Sequence, residues 1–180
     1  MSLPLSSRPR AASGYGLLHW VLALGVLGVL CALALPPLNA LLDRMRTDTL
    51  RMQLHATLAT ARSTAISRGR TIEACPSSDG ITCSDDWARG WLMYEPLVTT
   101  RPGYTPKKPF IVERRPRSKV TAFVSDGRPR IRFRPDGRNA GLNQKIRICI
   151  SDRLYTEVVA SIPGRIRSRR AREREPCREP

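Results

Sequence analysis

At 180 residues with one long apolar run near its start, the chain has room for one membrane segment and one domain of ordinary size, which excludes a second independent core. Its 31 Lys+Arg against 15 Asp+Glu give a formal net charge of +16, far from the near balance of a typical soluble domain, and point to a polyanionic partner, nucleic acid or anionic lipid. Four of its five cysteines lie beyond the apolar run, as expected if that portion reaches an oxidising compartment.

The chain carries no Lys, Arg, Asp or Glu from Gly14 to Asn39, and Trp20 to Leu35 is almost wholly Leu, Val, Ala and Gly. That is long enough to cross a hydrocarbon core of about 30 Å, and longer than the apolar stretch of a cleaved secretory signal. Arg8 and Arg10 precede it and stay cytoplasmic by the positive-inside rule. Gly14-Tyr15-Gly16-Leu17-Leu18, then an apolar helix with Pro36 near its far end, resembles a type III signal sequence. The resemblance implies a leader of residues 1–14 that prepilin peptidase cuts after Gly14. It implies an N-methylated Tyr15 as first mature residue, and a bacterial inner-membrane anchor with a periplasmic C-terminal domain. The family pattern has Phe at the first mature position and Glu at the fifth, where this chain has Tyr15 and His19. A histidine cannot supply the negative charge that the Glu gives to subunit assembly. Either the subunit enters the filament differently or it sits where that contact is not needed; the plainer reading of His19 is an interfacial residue at the membrane edge.

Leu50, Leu54, Leu58, Ala61 and Ala65 continue the helix as an amphipathic stripe, and Gly69 supplies the stop. One helix from Tyr15 to Arg68 would be about 80 Å long, kinked at Pro36-Pro37, with two helices meeting at those prolines as the alternative. Residues 15–38 are thus expected to cross the membrane, residues 39–68 to extend the helix, and residues 69–180 to form the exported domain. In that domain short β-forming runs alternate with turn residues: Thr71–Ala74, Gly90–Tyr94, Pro109–Arg114, Val120–Val124, Pro129–Arg134, Lys145–Ile150 and Tyr155–Ile162. Asp126-Gly127 and Asp136-Gly137 mark turns, and Pro96–Lys108 reads as an exposed loop. The fold class is α+β, a long helix packed on antiparallel sheet.

Cys75-Pro76-Ser77-Ser78-Asp79-Gly80, then Cys83 and Trp87-Ala88-Arg89-Gly90-Trp91, resembles the corresponding segment of FimT and GspH-type minor pilins. Phe133-Arg134-Pro135-Asp136-Gly137-Arg138 and Gly164-Arg165-Ile166-Arg167 strengthen the match. The last has the Gly-Arg-x-Arg form that FimT members carry, so FimT is the closer pattern. The resemblance implies the type IV pilin architecture, other pilins as partners, and a link to DNA uptake.

Within that picture a Cys75–Cys83 disulfide would fix a loop with little apolar material, and Cys149 and Cys177 would then pair. The rival reading, a four-cysteine zinc site, calls for close pairs of the C-x2-C kind, which this spacing lacks. No cofactor or metal is expected. His19 and His55 are the only histidines and neither lies in the β-domain, so no His-centred triad can form there. Asp85 and Asp86 read as solvated loop acids, and no catalytic residue is assigned.

Between Arg101 and Pro180, 22 Lys+Arg against 8 Asp+Glu leave +14 of the net charge in the exported domain. Arg128, Arg130, Arg132 and Arg134 alternate with Ile131 and Phe133, which in a strand makes a basic stripe. Arg165, Arg167, Arg169, Arg170, Arg172 and Arg174 follow Gly164 in what reads as a flexible tail braced by Cys149–Cys177. Arginine's planar fork suits phosphate, and no groove-reading motif is present, so the expected activity is sequence-independent binding of double-stranded DNA. The alternative is a structural pseudopilin, in pilus assembly or a type II secretion filament, whose charge serves subunit contacts or solubility.

Overall fold

The computed structural model describes residues 16–96, 109–116, 118–171 and 175–177. The leader with Gly14 and Tyr15, the Pro96–Lys108 loop past Pro96, and Arg172 and Arg174 lie outside the described residues. The chain divides into a unit ending at Leu41 and a unit from Leu42 to Pro180.

Helix α1 spans Leu17–Arg68 as one assigned helix, Pro36 and Pro37 included, rather than two. In its first unit, Leu22, Leu24, Val26, Leu27 and Leu30 each expose more than half their surface. This is a helix long and apolar enough to cross a membrane. In the second unit Leu50, Leu54, Leu58, Ala61 and Ala65 are buried along one face, as their spacing predicts. Each leucine contributes about 2 kcal/mol of burial. The helix stops where Gly69 and Arg70 donate backwards to the Ile66 and Ala65 carbonyls.

Among the described residues eight strands follow: β1 (Ile72–Pro76), β2 (Gly90–Tyr94), β3 (Ile111–Arg114), β4 (Val120–Val124), β5 (Ile131–Phe133), β6 (Gln144–Ile150), β7 (Arg153–Ala160) and β8 (Ile166–Arg170). They form two antiparallel four-stranded sheets, ordered β3-β2-β1-β5 and β4-β6-β7-β8. The inner faces share one core with the helix stripe: Ile72, Ala74, Trp91, Met93, Ile131 and Phe133 from the first sheet, and Val120, Ala122, Ile146, Ile148, Val158 and Ala160 from the second. Cys75 is bonded to Cys83 and Cys149 to Cys177.

Two expectations need correction. Residues 165–170 are not a flexible tail: Ile166–Arg170 is an edge strand whose backbone pairs with β7 from Ala160 to Thr156. Backbone pairing needs no apolar side chain, so Ile-Arg-Ser-Arg-Arg forms a strand without the alternation that announces one. Asp86 is also more than a solvated acid. Its carboxylate accepts from Ala88 N at 2.9 Å, capping the 3-10 turn Trp87–Arg89, and from Ala122 N at 3.0 Å, tying that turn to β4.

Candidate nucleic-acid interface

The hairpin between β7 and β8 sets the orientation of the late arginines. Register pairs Val159 with Arg167 and Glu157 with Arg169, so these side chains share the face of the sheet turned away from α1. On the next strand Lys145 stands opposite Val159 and Arg147 opposite Glu157, which makes two cross-strand rows, Lys145–Val159–Arg167 and Arg147–Glu157–Arg169. Ile166, Ser168 and Arg170 take the other face, where Ser168 accepts from Arg51 at 3.1 Å. Arg165, Arg167, Arg169 and Arg170 are all exposed.

Glu157 is buried and held between Arg147 at 3.4 Å and Arg169 at 3.3 Å. One carboxylate therefore neutralises part of the second row and fixes its arginines. The first row has no acid, and among the described residues Lys145 and Arg167 make no ion pair.

The earlier arginines divide similarly. Strand β5 covers only Ile131–Phe133, because Pro129 and Pro135 bracket it and neither has an N–H for the ladder. Ile131 and Phe133 enter the core, and Arg132 points to the opposite face, as the alternation predicts. There it meets Glu73, which is fully buried. Arg132 donates to it at 2.8 and 3.0 Å, Arg130 approaches it to 3.7 Å, and the Tyr94 hydroxyl donates to it at 2.9 Å. Burial, with the neighbouring carboxylate, pushes the Tyr94 phenol well above its ordinary range. Arg130 and Arg132 thus complete an ion-pair cluster, while Arg128 and Arg134 remain exposed without ion pairs among the described residues.

The two basic segments, far apart in sequence, meet at one seam. Gly137, in the turn after β5, and Gly164, in the turn before β8, both adopt positive φ, +75° and +79°. A Cβ on Gly164 would overlap the Gly137 carbonyl, and that carbonyl accepts from Arg62 of α1 at 3.1 Å. Asn139 N donates to Ile162 O at 2.9 Å across the same seam. The buried Asn139 amide reaches Ala160 O and Gln144, and Gln144 in turn donates to the Arg128 and Arg130 carbonyls at 3.2 and 2.9 Å. Arg134, Arg138 and Arg165 are thereby carried on turns locked to each other by backbone contacts.

Lys145, Arg147 and Arg138 join this surface without having been candidates from the sequence. The alternation Lys145-Ile146-Arg147-Ile148 was the signal that could have found the first two. Among the described residues no group of His, Cys, Asp or Glu converges as a metal site. On the disulfide loop, Asp79 accepts from Ser77 Oγ, Ile81 N and both donors of Thr82. These bonds, led by the Thr82 hydroxyl, hold its carboxyl far below the usual carboxylate range.

Because Glu73 serves two arginines and a tyrosine, Glu73→Ala is expected to cost about 2 kcal/mol in urea unfolding. That is below the ~3–5 kcal/mol for a fully buried pair, since the arginines can turn to water. A loss under about 0.5 kcal/mol would show the cluster to be an ordinary surface pair.

A family model, that of the type II transport protein GspH, matches residues 51–164. Two crystal structures of the type IV minor pilin FimU of Pseudomonas aeruginosa (strain PAO1) share the fold. The P65 crystal form aligns with TM-score 0.55 and 21% identity over 68% of this chain and 91% of that one. The P21 form aligns with TM-score 0.57 and 22% identity over 69% and 89%. No curated protein matches the sequence.

Proposed function

The chain belongs to the GspH family, minor pilins and pseudopilins of the type IV pilin fold, and on that premise we propose that it is a FimT-like minor pilin that binds double-stranded DNA through its backbone phosphates. Residues 1–14 are the leader that prepilin peptidase removes between Gly14 and Tyr15, and Tyr15 becomes N-methylated. Residues 15–38 anchor the subunit in the inner membrane until it joins other pilins in a filament, residues 39–68 continue the helix, and residues 69–180 form the periplasmic domain. DNA held by that domain is brought to the cell for uptake.

The observation that carries this reading is the seam between Gly137 and Gly164, which holds the turn bearing Arg134 and Arg138 against the turn bearing Arg165. Arg165, Arg167 and Arg134 supply exposed charge there, with Arg128 and Arg169 as further contacts and Arg170 on the other face of β8; Arg130 and Arg132 take a supporting part, since Glu73 holds them. Phosphate contacts of this kind fix position without reading bases. The test is fluorescence anisotropy with duplexes of unrelated sequence. Arg165→Ala/Arg167→Ala is expected to weaken binding roughly tenfold or more at fixed moderate salt, and equally for every duplex. Unequal losses would point to base readout, and no loss would remove these arginines from the interface.

A second reading, a GspH-like structural pseudopilin of a type II secretion system, draws on the two buried glutamates. Glu73 and Glu157 engage Arg130, Arg132, Arg147 and Arg169 in ion pairs, so part of the basic charge serves the fold.

A further inference from the structure

A cavity of about 150 Å³ opens between α1 and the segment that joins β3 to β4. Its polar lining is Arg46, Arg115 and Ser118, over an apolar floor that includes Leu50 and Val120. Arg115 is half-buried, and its guanidinium donates to Gln53 Oε1 while its backbone N is held by the Arg89 carbonyl at 3.1 Å. Burial lowers its pKa against the opposing charge of Glu113, and among the described residues Arg115 makes no ion pair. Arg46 is more than half exposed and loosely paired with Asp43 at 3.4 Å. A partly desolvated guanidinium without an ion-pair partner is costly, and an anion in this cavity offsets that cost.

We propose that this cavity takes the phosphate of an anionic membrane phospholipid while the subunit resides in the bilayer. Two arginine forks and a hydroxyl match the acceptor oxygens of a phosphodiester, and the volume admits the phosphate group but not an acyl chain. Arg46 follows Leu38 by eight positions, a reach of under about 30 Å even when fully extended, which bounds its distance from the end of the expected spanning segment. Exposed Arg44, Arg89 and Lys119 flank the lining residues in sequence and add the basic character that draws an anionic leaflet. This inference rests on the reading that residues 15–38 cross the membrane, and it is separate from the DNA surface built on Gly137 and Gly164.

Native mass spectrometry of the detergent-solubilised full chain, offered equal phosphatidylglycerol and phosphatidylcholine, tests it. The wild type should retain phosphatidylglycerol preferentially, and Arg46→Gln and Arg115→Gln should each reduce that preference about threefold or more, with Arg128→Gln unchanged. Arg46 is exposed, so its replacement keeps the test valid should the Arg115 variant fold poorly. Equal retention of both lipids by the wild type, or an unchanged preference in Arg46→Gln, overturns the proposal. Inorganic phosphate binding as tightly as phosphatidylglycerol would reassign the cavity to a free anion and also overturn it. So would a loss of duplex DNA affinity in Arg46→Gln with lipid preference intact. Alkaline extraction of cell membranes tests the spanning segment by itself, so failure of that reading is told apart from failure of the lipid site.

Discussion

Gly164→Ala is expected to destabilise the exported domain by about 3 kcal/mol, lowering its melting temperature by roughly 10 °C. Two costs combine. The residue sits at φ +79°, where an alanine pays about 1–2 kcal/mol, and its Cβ would overlap the Gly137 carbonyl and press on Arg62 Nε. Neither neighbour can yield freely, because the carbonyl belongs to a turn closed by Gly137 N to Arg134 O at 2.8 Å and the guanidinium is bonded to that same carbonyl. Gly127 is the matched control: φ is +67° and nothing lies within 4 Å of the position an added methyl would take, so Gly127→Ala should lose only the conformational part, about 1 kcal/mol. Equal losses at both positions would show that the seam between the two turns contributes nothing. Gly164→Ala should also weaken DNA binding, because opening the seam separates Arg134 and Arg138 from Arg165.

The second large effect is the loss of the Cys149–Cys177 bridge. It closes 28 residues of chain and, by loop-closure entropy, contributes roughly 3.5 kcal/mol. The bridge holds the last described residues beside the start of β7, where Leu154 N donates to Glu175 O at 3.1 Å and Cys177 N to Asp152 O at 2.9 Å. The double variant Cys149→Ala/Cys177→Ala avoids leaving a lone buried thiol and should lose about 3 kcal/mol in urea unfolding. Cys75→Ala/Cys83→Ala, closing a separation of 8, should lose less, roughly 2.5 kcal/mol. A reversed order would mean that the shorter loop is held by its disulfide for reasons other than chain entropy, with the Asp79 bonds the first place to look.

Much of the fold was legible because its signals are local. The stripe Leu50, Leu54, Leu58, Ala61, Ala65 has one apolar face, and all five residues are buried. Gly90–Tyr94 and Val120–Val124 form strands at the bounds their β-forming residues suggest. Strand β8 was not legible: only Ile166 is apolar, and what orders the segment is pairing to β7, a long-range property. The basic stripe on Arg128–Arg134 was legible in direction but not in charge. Its neutralising partner Glu73 lies 59 residues from Arg132. A lone acid inside the β-forming runs Ile72-Glu73-Ala74 and Thr156-Glu157-Val158 was the available clue, since an unpaired buried carboxylate would not be tolerated. Nor could sequence spacing bring Gly137 to Gly164, because that contact depends on both sheets packing on the same helix.

These features divide the arginines by role. Arg130, Arg132, Arg147 and Arg169 complete buried carboxylate clusters, and Arg62 clamps the seam. Arg128, Arg134, Arg138, Arg165 and Arg167 make no ion pair among the described residues, and with Lys145 they are free to meet phosphate. The arginine count sets the scale of the electrostatic response. With about five phosphates neutralised, the logarithm of the binding constant should fall against the logarithm of salt concentration with a slope near −4.5.

The measurement that tests the DNA-binding account most directly is therefore the salt dependence of wild-type binding to random-sequence duplex DNA. A linear log–log plot with a slope of about −4 to −5 is the predicted result. A slope near zero, or no binding at moderate salt, would contradict it and leave the structural pseudopilin as the account of this chain.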